Sequence, residues 1–162
     1  MSLKTAIFLH FGIGIPLVCL ILLPGWAGLK KPPETFGQVP AFELTDHTGS
    51  PFRASDLEGK VTVIDFVFTQ CRGICPALHA QMQVLRHRFA DRADLQMLSI
   101  SVDPENDTPE RMAAFMAEKG LEDARWRFLT GDRADIKRLL EEGLMVGLPD
   151  DPQVHSDRFV LV

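Results

Sequence analysis

Two cysteines four residues apart, in Phe68-Thr-Gln-Cys71-Arg-Gly-Ile-Cys75-Pro76, are the side chains of this 162-residue sequence best suited to chemistry. They fall between a β-branched, aromatic run (residues 61–68) and an amphipathic one (residues 76–89), where a strand should end and a helix begin. A helix start carries unpaired N–H groups and a positive dipole end, which favour a thiolate. Arg72 adds a positive charge beside the first sulfur. Four-residue spacing on a helical turn puts both sulfurs on one face, close enough to form a disulfide or share a metal ion. Two thiolates with an imidazole suit Cu(I), and also Zn(II) if a fourth ligand exists. A dithiol alone would instead exchange with partner disulfides. Buried cysteines acting only as small hydrophobes fit poorly beside Thr69, Gln70 and Arg72.

An imidazole for such a site must come from five histidines. His79 lies one turn beyond Cys75, where a ligand role is conceivable, although a histidine there is expected to be a solvated helix-surface residue. His87 sits between Arg86 and Arg88 on a basic face, and His47 belongs to a turn. His155 closes the polar loop Leu148-Pro-Asp-Asp-Pro-Gln-Val just before the last strand. In an open α/β sheet that loop can face the start of the first helix.

The elements that must position these residues alternate. Residues 40–46 alternate apolar and polar side chains and meet His47-Thr-Gly-Ser50, a strand and a turn. Residues 55–60 read as a turn or helical loop, and residues 61–68 as a central buried strand without internal break. Leu78, Met82, Leu85 and Phe89 fall at helical spacing. Residues 95–102 are a second buried strand. Thr108 is a good N-cap and Pro109 a good first residue for a helix through Glu118. Residues 126–129 form a short strand, residues 132–142 an amphipathic helix with Gly143 as its stop, and residues 158–162 a last strand. Strands alternating with helices predict one α/β domain of βαβ units around a mostly parallel sheet.

Ahead of that domain the composition changes. Between Thr5 and Leu29 the only ionisable side chains are His10 and Cys19, and the apolar run meets the ~20 residues that cross a bilayer core. Residues 1–31 are expected to be an uncleaved N-terminal transmembrane anchor, with Pro16 as a kink and Trp26 at the interface; a cleaved signal peptide would want a shorter apolar core. Cys19 then serves as a small apolar residue in the span, and His10 snorkels near its end. Residues 32–39, with two prolines and no periodicity in the segment around them, read as a linker, and residues 40–162 as the soluble domain. The part after Lys31 holds 14 Lys and Arg against 22 Asp and Glu, a net charge of −8, more acidic than the −5 of the whole chain. That balance argues against a nucleic-acid partner and leaves the apolar span as the membrane attachment.

Four segments in order resemble the Sco/SenC family of membrane-anchored, thioredoxin-like proteins of copper delivery: the Cys71–Cys75 motif, Ser101-Val-Asp-Pro-Glu-Asn-Asp-Thr-Pro-Glu110, Trp126-Arg-Phe-Leu-Thr-Gly131 and Val154-His-Ser156. The resemblance covers residues 40 to 162. It implies a thioredoxin-like fold, a mixed sheet flanked by helices, and it places the copper ligands on Cys71, Cys75 and His155. It implies Cu(I) as the metal, with Cu(II) left open, and delivery to the binuclear centre of cytochrome c oxidase subunit II. Other copper chaperones or thiol reductants are the further partners implied, and the domain is expected to face the periplasm from the inner membrane. A thiol-disulfide oxidoreductase keeping the oxidase cysteines reduced, with Cys71 and Cys75 as its catalytic dithiol, is the alternative; a thiol peroxidase has little support. Oligomeric state is not legible. The chain departs from the family in carrying Arg72-Gly73-Ile74 where Pro-Asp-Val is common. The family also continues past the position of Val162 with a strand and a terminal helix, so the resemblance implies a chain short at that end, with an open sheet edge.

Overall fold

The computed structural model describes residues 34–148 and 150–162, and the unit that carries the cysteine pair is Gly37–Val162. The expected anchor, residues 1–31, lies outside the described residues. No helix among those described is long and apolar enough to cross a membrane. The described part of the linker, residues 34–39, has no regular secondary structure.

The alternating segment after Pro40 becomes strand β1 (Glu43–Asp46), which turns back into β2 (Pro51–Arg53). Asp46 shapes the turn: its Oδ1 accepts from Thr48 N at 2.9 Å and Ser50 N at 3.0 Å, and Gly49 takes the positive φ of 82° that the reversal requires. A short 3-10 turn (Ala54–Leu57) leads to β3 (Val61–Val67), followed by helix α1 (Cys75–Arg88), β4 (Leu95–Ser101) and helix α2 (Pro109–Lys119). Thr108 caps α2 as its sequence predicts, accepting from Arg111 N, and Gly120 ends it in the left-handed region. Strand β5 (Trp126–Thr130), helix α3 (Arg133–Arg138) and β6 (Val160–Leu161) complete the unit.

The sheet order is β2-β1-β5-β4-β3-β6. The three central strands β5, β4 and β3 are parallel, while β1, β2 and β6 pair antiparallel. The expected mixed sheet flanked by helices is therefore present, with parallel pairing confined to the strands joined by helical crossovers. Those crossovers bury both faces, so β3 and β4 are nearly continuously buried where β1 alternates. Phe66, Met97, Trp126 and Phe128 pack the core from this centre.

One helix differs from its sequence expectation. The run from Asp132 stays α-helical only to Arg138 and then widens into a π-turn over Leu139–Gly143. Gly143 is not a left-handed stop; Met145 carries the positive φ instead, at 55°. Glycine is required at 143 because a Cβ there would stand 2.6 Å from Cδ of Pro40 and 3.3 Å from Leu139 Cδ1. Gly143→Ala is therefore expected to destabilise the domain by about 1–3 kcal/mol in denaturant melts, although alanine is the better helix former.

Candidate metal centre

Strand β3 delivers its chain at the carboxyl edge of the sheet, where ligands of α/β folds collect. Phe68 begins a turn closed by Cys71 N donating to Phe68 O at 3.1 Å, and α1 starts at Cys75. Cys71 thus belongs to the turn before the helix rather than to the helical face that its spacing suggests. The turn still serves, because it bends the Cys71 sulfur back over the helix start.

The third element comes from the far end of the chain. Asp151 caps a single 3-10 turn (Pro152–Val154) through Gln153 N, and this turn presents His155 to the cysteines. His155 Nε2 lies 3.2 Å from Cys75 Sγ and 3.8 Å from Cys71 Sγ. All three ligand atoms fall within 4.8 Å of one another, and no other such group of His, Cys, Asp or Glu occurs among the described residues. The ring is held from two sides. Phe68 meets it edge-on with centroids 5.7 Å apart, and Nδ1 lies 2.9 Å from Ser156 O. A carbonyl can only accept, so the neutral ring carries its proton on Nδ1 and turns the Nε2 lone pair to the sulfurs.

Burial differs across the pair. Cys71 is half-buried, whereas Cys75 is buried. Burial pushes the Cys75 thiol above its ordinary value, and its hydrogen bond with Cys71 pushes the same way. The helix-start effect expected from sequence loses here to desolvation, so without a metal the Cys75 thiol is neutral. A thiophilic cation would displace its proton, which couples metal affinity to pH.

Two buried polar networks, one holding the cysteine turn and one joining β3, β4 and β5, go beyond the sequence reading. Asp107, in the loop between β4 and α2, is almost fully buried. It accepts from Thr69 N at 3.2 Å, from Thr69 Oγ1 at 2.6 Å and from Ser101 Oγ at 2.6 Å. Arg111 Nε donates to the same Thr69 hydroxyl at 2.8 Å. The Ser101–Glu110 segment therefore earns its place in the motif by anchoring the turn two residues before Cys71. Below, Asp65 interrupts the apolar face of β3. Ser99 Oγ donates to its Oδ1 at 2.5 Å, Trp126 Nε1 donates to Ser99 Oγ at 2.9 Å, and Asp65 Oδ2 has no partner. Burial pushes the Asp65 carboxyl up to about 7, against the lowering effect of the Ser99 bond. The charged residue inside an otherwise apolar run was the available signal.

The remaining histidines separate as their surroundings dictate. His87 is exposed, and His47 lies in the turn with Nδ1 3.4 Å from Phe128 N. His79 is not the solvated residue expected. It faces inward, with ring centroids 5.4 Å from Phe115 and 6.0 Å from Phe128, and its Nε2 has no partner. Burial pulls it down to about 4, with the nearby His155 contributing next. His79 lines a groove of about 610 Å3 that opens beside Cys71 and Cys75.

Comparison with known proteins matches the SCO1/SenC family model over residues 30–160. A SCO1 protein homolog of Bacillus subtilis is 32% identical over 157 residues, covering 93% of this chain and 81% of that protein. Other relatives, 28–30% identical, are longer, and this chain spans 56–58% of them. Among solved structures, a SCO1/SenC family lipoprotein from Bacillus anthracis superposes with a TM-score of 0.71 at 34% identity, over 83% of this chain and 82% of that one. The copper-bound structure of Bradyrhizobium japonicum ScoI does so with a TM-score of 0.59 at 29% identity, over 78% of each chain. The family match runs unbroken through every segment that builds the Cys71–Cys75–His155 cluster, from the cysteine turn to the histidine loop, and on this ground the chain belongs to the SCO1/SenC family.

Proposed function

We propose that this protein is a membrane-anchored copper chaperone that binds Cu(I) through Cys71, Cys75 and His155 and passes it to the binuclear copper centre of cytochrome c oxidase subunit II. The observation that carries this reading is the convergence of two sulfurs and one correctly turned imidazole nitrogen, within 4.8 Å, from segments eighty residues apart in sequence. Three soft or intermediate donors suit Cu(I), which accepts low coordination numbers. The copper-bound relative supports the same metal. Two thiols release two protons when the ion binds, giving a complex of net charge −1 if the imidazole stays neutral. The half-buried Cys71 is the side from which the cargo exchanges. In the same reading residues 1–31 anchor the protein in the inner membrane, residues 32–39 link, and residues 40–162 work in the periplasm.

The test is copper titration of the reduced full chain. One Cu(I) per chain is expected, with binding lost in Cys71→Ser and weakened at least about tenfold in His155→Ala. Unchanged binding in both variants would overturn the reading. A second reading, a thiol-disulfide oxidoreductase acting on the oxidase cysteines, is favoured by the closeness of the two free sulfurs. It needs Cys71 and Cys75 but not His155, so full disulfide exchange by a His155→Ala chain that no longer holds copper would favour it.

A further inference from the structure

The groove beside the cysteine pair carries a charge opposite to that of its domain. Arg72, Arg111 and Lys119 line it, and no carboxylate does, in a part of the chain with eight more acidic than basic residues. We infer that this groove docks an extended acidic segment of the protein with which the metal is exchanged; the inference rests on the chaperone reading above.

The spacing fits such a segment. Arg111 and Lys119 stand eight residues apart on α2, about 12 Å at 1.5 Å per residue. An extended chain covers that distance in four residues at about 3.3 Å each, so carboxylates at positions i and i+4 meet both cations. Between them lies the apolar ring of Phe115, with Lys119 Nζ 5.9 Å from its centroid. The Arg111 end is tied to the metal site, because Arg111 Nε holds the Thr69 hydroxyl two residues before Cys71. A segment seated here runs from Lys119 along Phe115 and reaches the half-buried sulfur. The ion pair of Lys119 is an exposed one with its neighbour Glu118, which a partner carboxylate displaces at little cost. The three cations of the groove favour carboxylates brought to it locally.

The probe is a labelled, end-capped peptide Asp-Gly-Phe-Gly-Asp, titrated by fluorescence anisotropy into the reduced, metal-free full chain in a neutral detergent. At low salt it is expected to bind at least about tenfold more tightly than its Asn-Gly-Phe-Gly-Asn counterpart, with the difference closing at 0.5 M salt. Lys119→Glu should abolish that preference, and one of the two peptides carrying lysine in place of a single aspartate should then bind the variant better than the acidic peptide does. Equal binding of acidic and amide peptides, or indifference to Lys119→Glu, overturns the inference. Competition by reduced glutathione at equal concentration overturns it too, assigning the groove to a small anionic thiol. Copper titration of Lys119→Glu keeps the two readings apart. Wild-type copper binding together with lost peptide binding supports docking. Loss of both shows that Lys119 acts on the metal site and overturns docking, and a wild-type chain without copper overturns only the chaperone reading.

Discussion

Asp107→Ala is expected to lower stability by roughly 3–4 kcal/mol and to weaken copper binding about tenfold or more. The carboxylate is buried and accepts from Thr69 N, Thr69 Oγ1 and Ser101 Oγ. Alanine would leave those donors without acceptors, at about 1–3 kcal/mol for each one that cannot find water. It would also free the turn that fixes Cys71, and loss of such supporting contacts typically costs a metal site 10–100-fold. Asp107→Asn keeps one carbonyl acceptor for Thr69 and should fall between alanine and wild type. Denaturant melts of the metal-free protein measure the first effect and competitive Cu(I) titration the second. A variant within 1 kcal/mol of wild type with unchanged copper affinity would show that β4 and the cysteine turn hold each other without this carboxylate.

Asp65 and His79 are expected to give stability two opposing pH dependences. Asp65 rises from 3.8 in the unfolded chain to about 7 in the folded one. Between those values the folded chain holds a proton that the unfolded chain releases, so this contribution is complete below pH 4 and is lost as pH climbs to 7. At about 1.4 kcal/mol per pH unit, roughly 4 kcal/mol goes across the window. His79 falls from 6.5 to about 4. There the unfolded chain binds the extra proton, so stability is complete above pH 6.5 and is lost as pH falls toward 4. The two slopes nearly cancel between pH 4 and 6.5, and wild type should look flat. Asp65→Asn removes the falling term and should gain on wild type by roughly 3 kcal/mol between pH 4.5 and 7.5. His79→Leu removes the rising term and should unmask a loss toward neutral pH. Denaturant midpoints at four or five pH values suffice, and parallel profiles for wild type and Asp65→Asn would sink the assignment.

Much of this site is legible from local chemistry. Strand β3, the break at Phe68 and the onset of α1 follow from a buried apolar run meeting a proline-initiated amphipathic one. Thr108 and Pro109 mark the start of α2 because capping is a local, short-range interaction. The failures are equally physical. The need for glycine at 143 comes from Pro40, which leaves no room for a Cβ there, an approach between residues a hundred positions apart. His79 looks solvated in sequence because helical spacing cannot reveal that Phe115 and Phe128 close over that face.

The sequence by itself determines the donor set, two thiols and an imidazole available to a soft ion, along with the alternation of elements and the acidity of the domain. Residue types and spacing leave the histidine open and the family resemblance implies His155; although His79 is nearer in sequence, the tertiary structure brings His155 within 3.2 Å of Cys75. It also decides the protonation of Cys75, because a helix start favours the thiolate while burial disfavours it more strongly. And it gathers Arg72, Arg111 and Lys119 into one groove on an acidic domain. Each of these outcomes is set by what is brought close and what is shielded from water, and neither quantity is written in the order of the residues.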